Sequence, residues 1–149
     1  MDAILLITDN NVRRRGELRR FFSNSGFLVA AASDGLGCLA EVVSLEPDVL
    51  VIALDILWGG GDGVIARLND DLLVHRPPHI LVMGDASPEV LSMRTGLASC
   101  NCFSEPVWKE ELLYRIGLEL GMRPVHGVED MQRPSEKRMR RTLMEEGVR

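Results

Sequence analysis

Cysteine is scarce in this 149-residue chain: there are three, an odd number. That excludes a small disulfide-built scaffold and suits a reducing compartment. Long apolar runs are also missing, and none approaches the ~18–20 residues that a membrane-crossing helix needs. The opening Met1-Asp2-Ala3-Ile4 lacks the basic stretch of a signal peptide. A cytoplasmic protein with no membrane contact is expected. Familiar catalytic and metal spacings are absent. Cys100 and Cys102 have no second pair to complete a zinc site, Cys38 stands alone, and His75, His79 and His126 are scattered. No Ser-His-Asp or Cys-His arrangement follows from the spacing, so neither an enzyme nor a resident metal or cofactor is expected. The run Trp58-Gly59-Gly60-Gly61-Asp62-Gly63 lacks the Lys-Ser/Thr of a P-loop and the Gly-x-Gly-x-x-Gly spacing of a dinucleotide site. It reads as a flexible loop with one exposed aromatic, Trp58, of the kind that anchors contacts.

What is present is a globular composition, 46% apolar and 26% charged, at a length that suits one domain. The net charge of −5 is unevenly spread. Residues 1–122 hold 10 Lys and Arg against 17 Asp and Glu, whereas residues 123–149 hold 7 against 5. An acidic body argues against nucleic-acid binding by that body, because phosphate contacts need clustered cations.

The apolar pattern alternates between strands and helices. Ile4–Ile7 is a short buried run stopped by Thr8-Asp9-Asn10-Asn11, and Val12–Ser25 then follows helical spacing through Val12, Leu18, Phe21 and Phe22. Phe27–Ala32 gives a second strand, and Leu36–Leu45 a helix with Leu39, Val42 and Val43 inward. Val49–Leu54 does not alternate at all, which implies burial on both faces of a parallel sheet. Val64–Val74, His79–Met83, Ser87–Leu97, Cys100–Ser104 and Lys109–Leu120 continue the helix and strand series. Five such units in strict alternation predict an α/β, doubly wound five-stranded parallel sheet, and the order expected of it is the usual flavodoxin-like 2-1-3-4-5. Function in such a sheet belongs to residues at the carboxyl ends of the strands. Beyond Gly121 the pattern breaks, so residues 1–122 form the expected domain. Residues 123–149 are expected to be a tail, partly disordered or with a short docking helix over Ser135–Glu146, and too short for a separate output domain.

Five stretches now stand in register: Ile4-Leu5-Leu6-Ile7-Thr8-Asp9-Asn10, Ala32-Ser33-Asp34-Gly35, Pro47-Asp48-Val49-Leu50-Val51, Gly61-Asp62-Gly63, and Glu105-Pro106 with Glu110-Glu111-Leu112. Together, over residues 3 to 121, they resemble the receiver domain of two-component response regulators. The resemblance implies a domain that accepts a phosphoryl group on an aspartate after the third strand, with Mg²⁺ held by acidic residues after the first. It also implies a Ser or Thr after the fourth strand and a Lys after the fifth, both contacting the phosphoryl oxygens.

Each implied position departs from that set except one. The acidic pair falls on Thr8 and Asp9, of which Asp9 is retained and could equally cap the first helix. The acceptor falls on Ala53 when counted from Pro47-Asp48, and on Asp55 when counted back from Asp62-Gly63. Lengthening the loop over Asp55–Gly61 is easier than adding two residues to a strand, which favours Ala53 and leaves Asp55 on the rim. The hydroxyl position falls on Met83, which cannot donate a hydrogen bond. The lysine position falls on Glu105, with the opposite charge, before Pro106, a candidate cis-proline.

The expectation is therefore a degenerate receiver, or pseudo-receiver, acting through contacts with signalling proteins in a bacterial-type pathway, independently of phosphorylation. Its expected surface is helix 4, strand 5 and helix 5, carrying Phe103, Val107, Trp108 and Tyr114, through which a homodimer could also form. Two alternatives stay open. One is a phosphoacceptor that uses Asp55, with Mg²⁺ held through Asp9. The other is a ligand- or metal-sensing domain using the altered pocket, with Asp9, Asp55 and Glu105 converging there.

Overall fold

The computed structural model describes residues 2–122. The tail, residues 123–149, lies outside the described residues. Two compact units divide the chain, one running to Pro106 and the other beginning at Val107.

The first unit alternates strand and helix throughout: β1 (Ile4–Thr8), α1 (Val12–Asn24), β2 (Leu28–Ala32), α2 (Gly35–Leu45), β3 (Val49–Ala53), α3 (Gly60–Asp70), β4 (His79–Gly84), α4 (Pro88–Thr95) and β5 (Cys102–Ser104). The strands form one sheet in the order β2-β1-β3-β4-β5, with every pairing parallel. This is the architecture that the alternation predicts. Right-handed crossovers carry the chain one way from β1 to β2 and the other way through β3, β4 and β5. They therefore put α1 on one face of the sheet and α2, α3 and α4 on the opposite face. Burial follows from this covering: all five residues of β3 are buried, as are Leu5, Leu6 and Ile7 of β1. The order reverses between β1 and β3, so their carboxyl ends flank the crevice where such sheets place their function.

The second unit, as far as it is described, holds α5 (Lys109–Glu119). Leu112 and Ile116 lie on its buried side, and Arg115 pairs with Glu119 one turn on.

Four local expectations need correction. The third helix starts at Gly60 and ends at Asp70, rather than spanning Val64–Val74, so four of the six residues of the expected flexible loop form its first turn. Its glycines serve close approach: a Cβ at Gly61 would stand 2.6 Å from the Ala53 carbonyl oxygen. In α2 the buried positions are Gly35, Cys38 and Val42, while Leu39 is half-buried and Val43 points to solvent. In α1 Leu18 and Phe22 are buried, and Val12, at the helix start, is exposed. The fifth strand starts at Cys102 rather than Cys100, because Ser99–Asn101 is a 3-10 turn, with Cys100 exposed and Cys102 buried.

Candidate functional site

The site grows from the way β1 hands over to α1. Asn11 caps the helix, its side chain accepting from the Arg14 amide at 3.0 Å. Two residues earlier, Asp9 Oδ1 accepts from the Asn11 amide, also at 3.0 Å. The Asp9 amide donates to Ala32 O, extending the β1–β2 ladder one residue past Thr8. Asp9 is thereby fixed at the strand end with its side chain fully buried.

A buried carboxylate needs a partner, and here it is Arg14. The guanidinium grips Asp9 with two nitrogens: Nε donates to Oδ2, and Nη2 to Oδ1 at 3.1 Å. The remaining nitrogen, Nη1, donates to Glu105 Oε2 at 3.0 Å. One planar cation thus joins two carboxylates from opposite ends of the domain, using the fork geometry that distinguishes Arg from Lys. Bonding to Asp9 above all, with the Glu105 charge adding to it, raises the Arg14 pKa still further above its ordinary value against the lowering effect of burial. Arg15 completes the cluster by donating to the Asp9 carbonyl at 2.7 Å. Three consecutive arginines in a first turn oppose the helix dipole, and no acidic residue in that turn relieves them. Asp9 and Glu105 offset this for Arg14.

The other sequence-derived positions surround this ion cluster. Thr8 ends β1 with its hydroxyl buried and lacking a hydrogen bond. The Cys38 thiol is close enough to feel that hydroxyl, yet burial dominates and pushes its pKa up to about 11. Ala53 is the last residue of β3, pairs with Met83 and is buried with it. Thr8 pairs with Ile52, so Asp9 and Ala53 continue the same register. Glu105 follows β5 and holds its place by donating its amide to Gly84 O at 2.9 Å. The Glu105–Pro106 bond is cis. Asp55 lies beyond the strand end, exposed and outside the Arg14 cluster. The structure therefore brings Asp9 and Glu105 together and leaves Asp55 apart. Among the interface candidates, Phe103 is half-buried in β5; in the second unit Val107 and Tyr114 are half-buried and Trp108 is exposed.

These residues do not fit Mg²⁺. The ion demands octahedral oxygen ligation, usually from one or two carboxylates plus phosphate. Both Asp9 oxygens are already engaged by a cation, Thr8 offers one neutral hydroxyl, and the Ala53 and Met83 side chains carry no oxygen. Among the described residues no three His, Cys, Asp or Glu side chains gather as a metal site. Nor is any helix there long and apolar enough to cross a membrane.

Reading along the chain misses Arg14. The available signal is electrostatic: a Glu at the end of β5 facing a buried Asp at the end of β1 requires a cation between them, and the first turn of α1 is the supply.

With this geometry in place, the chain has the fold of response regulator receiver domains. Chemotaxis response regulator CheY4 of Vibrio cholerae superimposes with a TM-score of 0.70 at 20% identity, over 80% of this chain and 99% of that one. The Francisella response regulator 1452 receiver domain gives 0.70 at 17% identity, over 80% and 98%. The CheY-like receiver domain from Methanospirillum hungatei JF-1 gives 0.69 at 18%, over 81% and 95%. Among curated proteins, protein PetR of Rhodobacter capsulatus is 31% identical over 115 residues, which is 75% of this chain and 46% of PetR. The chain thus spans about half the length of that curated relative. No family model matches.

Proposed function

We propose that this chain is a receiver-type signal-transduction module that acts through protein–protein contacts without accepting a phosphoryl group. The observation that carries the reading is the Arg14 guanidinium bridging Asp9 and Glu105. It fills the strand-end crevice with a cation from the chain itself, where the resemblance implies an added metal and an added phosphoryl anion. The rest of the crevice agrees: Ala53 supplies no nucleophile, Met83 no hydroxyl, and Glu105 would repel a phosphoryl anion rather than clamp it. The module is a cytoplasmic, non-enzymatic component of a bacterial-type pathway, and its partners are signalling proteins or a second copy, met through surfaces that carry Phe103 or Trp108.

The test is incubation of the full chain with acetyl phosphate and Mg²⁺, followed by intact mass. The expected result is an unmodified mass and no change of melting temperature with Mg²⁺. A gain of one phosphoryl group, abolished by Asp55→Asn, overturns the reading in favour of the rim aspartate as acceptor.

A further inference from the structure

The segment from β3 to α3 displays large apolar side chains on a backbone that is held in place. Trp58 has φ 67°, in the left-handed region that strains a bulky residue. Its side chain is 63% exposed, Leu57 beside it 67%, and Leu36 at the start of α2 56%. Leu36 belongs with them because the amide of its neighbour Gly35 donates to Leu57 O at 2.9 Å. Gly35 is closed in by the Trp58 and Leu57 carbonyl oxygens, so a side chain there would push this segment away. At the far end the Gly61 amide donates to Leu54 O at 2.8 Å. A free loop would relax Trp58 out of this conformation and fold the indole inward. This segment, tied at both ends, instead keeps a strained, exposed Trp next to the exposed Leu57, with exposed Leu36 following the Gly35 tie. Ground-state strain and an exposed aromatic together mark a binding surface more than a connection.

The rim says what binds. Asp55 is exposed next to this segment and has no ion pair among the described residues. Asp34, on the other side of Gly35, uses one carboxylate oxygen to cap α2. The surrounding body is acidic, with 10 Lys and Arg against 17 Asp and Glu in residues 1–122. A second copy is disfavoured, since two acidic rims repel. In addition, three side chains offer an area well below the ~800 Å² per partner of a stable interface. We propose that Leu36, Leu57 and Trp58 form a docking surface for a short segment of a partner protein that carries an apolar side chain beside Lys or Arg. This rests on the reading of the chain as a partner-binding module and adds the surface and the partner's chemistry.

Random peptides displayed on phage, selected on the full chain and counter-selected on its Trp58→Ser variant, test this. The enriched peptides are expected to pair Lys or Arg with Leu, Ile or Phe, and to lose affinity roughly tenfold or more with Trp58→Ser or Leu57→Ser. In a Trp108→Phe chain Trp58 is the only tryptophan, so its emission should move to the blue as peptide is added. Trp58→Gly relieves the strained φ, and should lose the peptide while melting no lower than the parent, which separates lost binding from lost folding. Enriched peptides without basic residues, affinity indifferent to Trp58, or Trp58-dependent self-association in sedimentation each overturn the proposal. Phosphorylation by acetyl phosphate would overturn the crevice reading and leave the peptide result standing, so the two failures are distinguishable.

Discussion

Replacing Arg14 with Met keeps most of the aliphatic stem and removes the charge. The consequence can be worked from exposure. Asp9 keeps a fully buried carboxylate and loses both bonds to the guanidinium, retaining the Asn11 amide; Glu105, 31% exposed, falls back on water. Removing one partner of a buried pair costs about 3–5 kcal/mol, mostly as the penalty on the charge left behind. The Arg14 side chain is itself 27% exposed, so water reaches part of the cluster and the lower end applies, about 3 kcal/mol. For a chain of this size that is a fall in melting temperature of roughly 6–12 °C. Urea unfolding at pH 7, with the midpoint and slope compared between variants, measures it directly. The second arm is Asp9→Asn. In the wild type it is destabilising, because Arg14 loses its charged partner. In the Arg14→Met background it should recover about 1–2 kcal/mol, because the orphaned charge disappears. A loss below about 1 kcal/mol for Arg14→Met would refute the view that the cluster holds the crevice together. An Asp9→Asn effect of the same sign and size in both backgrounds would refute the pairing itself.

Other expectations follow from single contacts. Burial raises the Cys38 pKa from 9.0 to about 11, so the neutral thiol is the form the fold favours. Stability from this group is complete below pH 9 and is lost as pH climbs to about 11, by on the order of 2 kcal/mol; Cys38→Ala should flatten that alkaline slope in pH-dependent melting. Gly61→Ala puts a methyl 2.6 Å from a backbone oxygen that cannot move cheaply, and should cost about 1–3 kcal/mol in urea unfolding, whereas Gly63→Ala, with nothing within 4 Å, should be tolerated. Asp48 accepts from the Ile4 amide at 2.8 Å and so ties the start of β1 to the loop before β3; Asp48→Ala should cost about 1 kcal/mol and speed hydrogen exchange at Ile4.

How much of this is legible along the chain depends on the range of the cause. Strands announce themselves locally: the apolar run at Val49–Ala53 sits between turn formers, and burial on both faces removes any alternation. Handedness and the βαβ alternation then limit the sheet to the doubly wound orders, of which 2-1-3-4-5 is the flavodoxin-like one that the structure shows. The third helix departs from its expected span for an equally local reason. Gly59–Gly61 and Gly63 look like a loop when glycine is weighed only as a helix breaker. In the fold Gly61 is small because the end of β3 leaves no room for more, and Gly59 and Gly60 take positive φ to turn into the helix. Trp58 shows no sign in the sequence of its left-handed backbone, since that conformation is imposed by the ties at Gly35 and Gly61.

The crevice shows the same limit at longer range. Residue by residue, Thr8, Ala53, Met83 and Glu105 read as separate departures from the receiver pattern, each subtracting a group. Arg14 stands 91 positions from Glu105, so no spacing rule connects them. Once the sheet brings the two together, the departures cease to be independent. A glutamate at the end of β5 without Arg14 would face the buried Asp9 as a second uncompensated charge, and Arg14 without Glu105 would leave one arm of its fork unused. The charge that the resemblance expects from a lysine after the fifth strand is still in the crevice, supplied from the first helix and held by three hydrogen bonds to carboxylates. Without Arg14 the buried Asp9 would stand unpaired at a cost of several kcal/mol. The crevice already holds its own cation between two carboxylates, so Glu105→Lys should place two cations against one carboxylate and lower the urea midpoint.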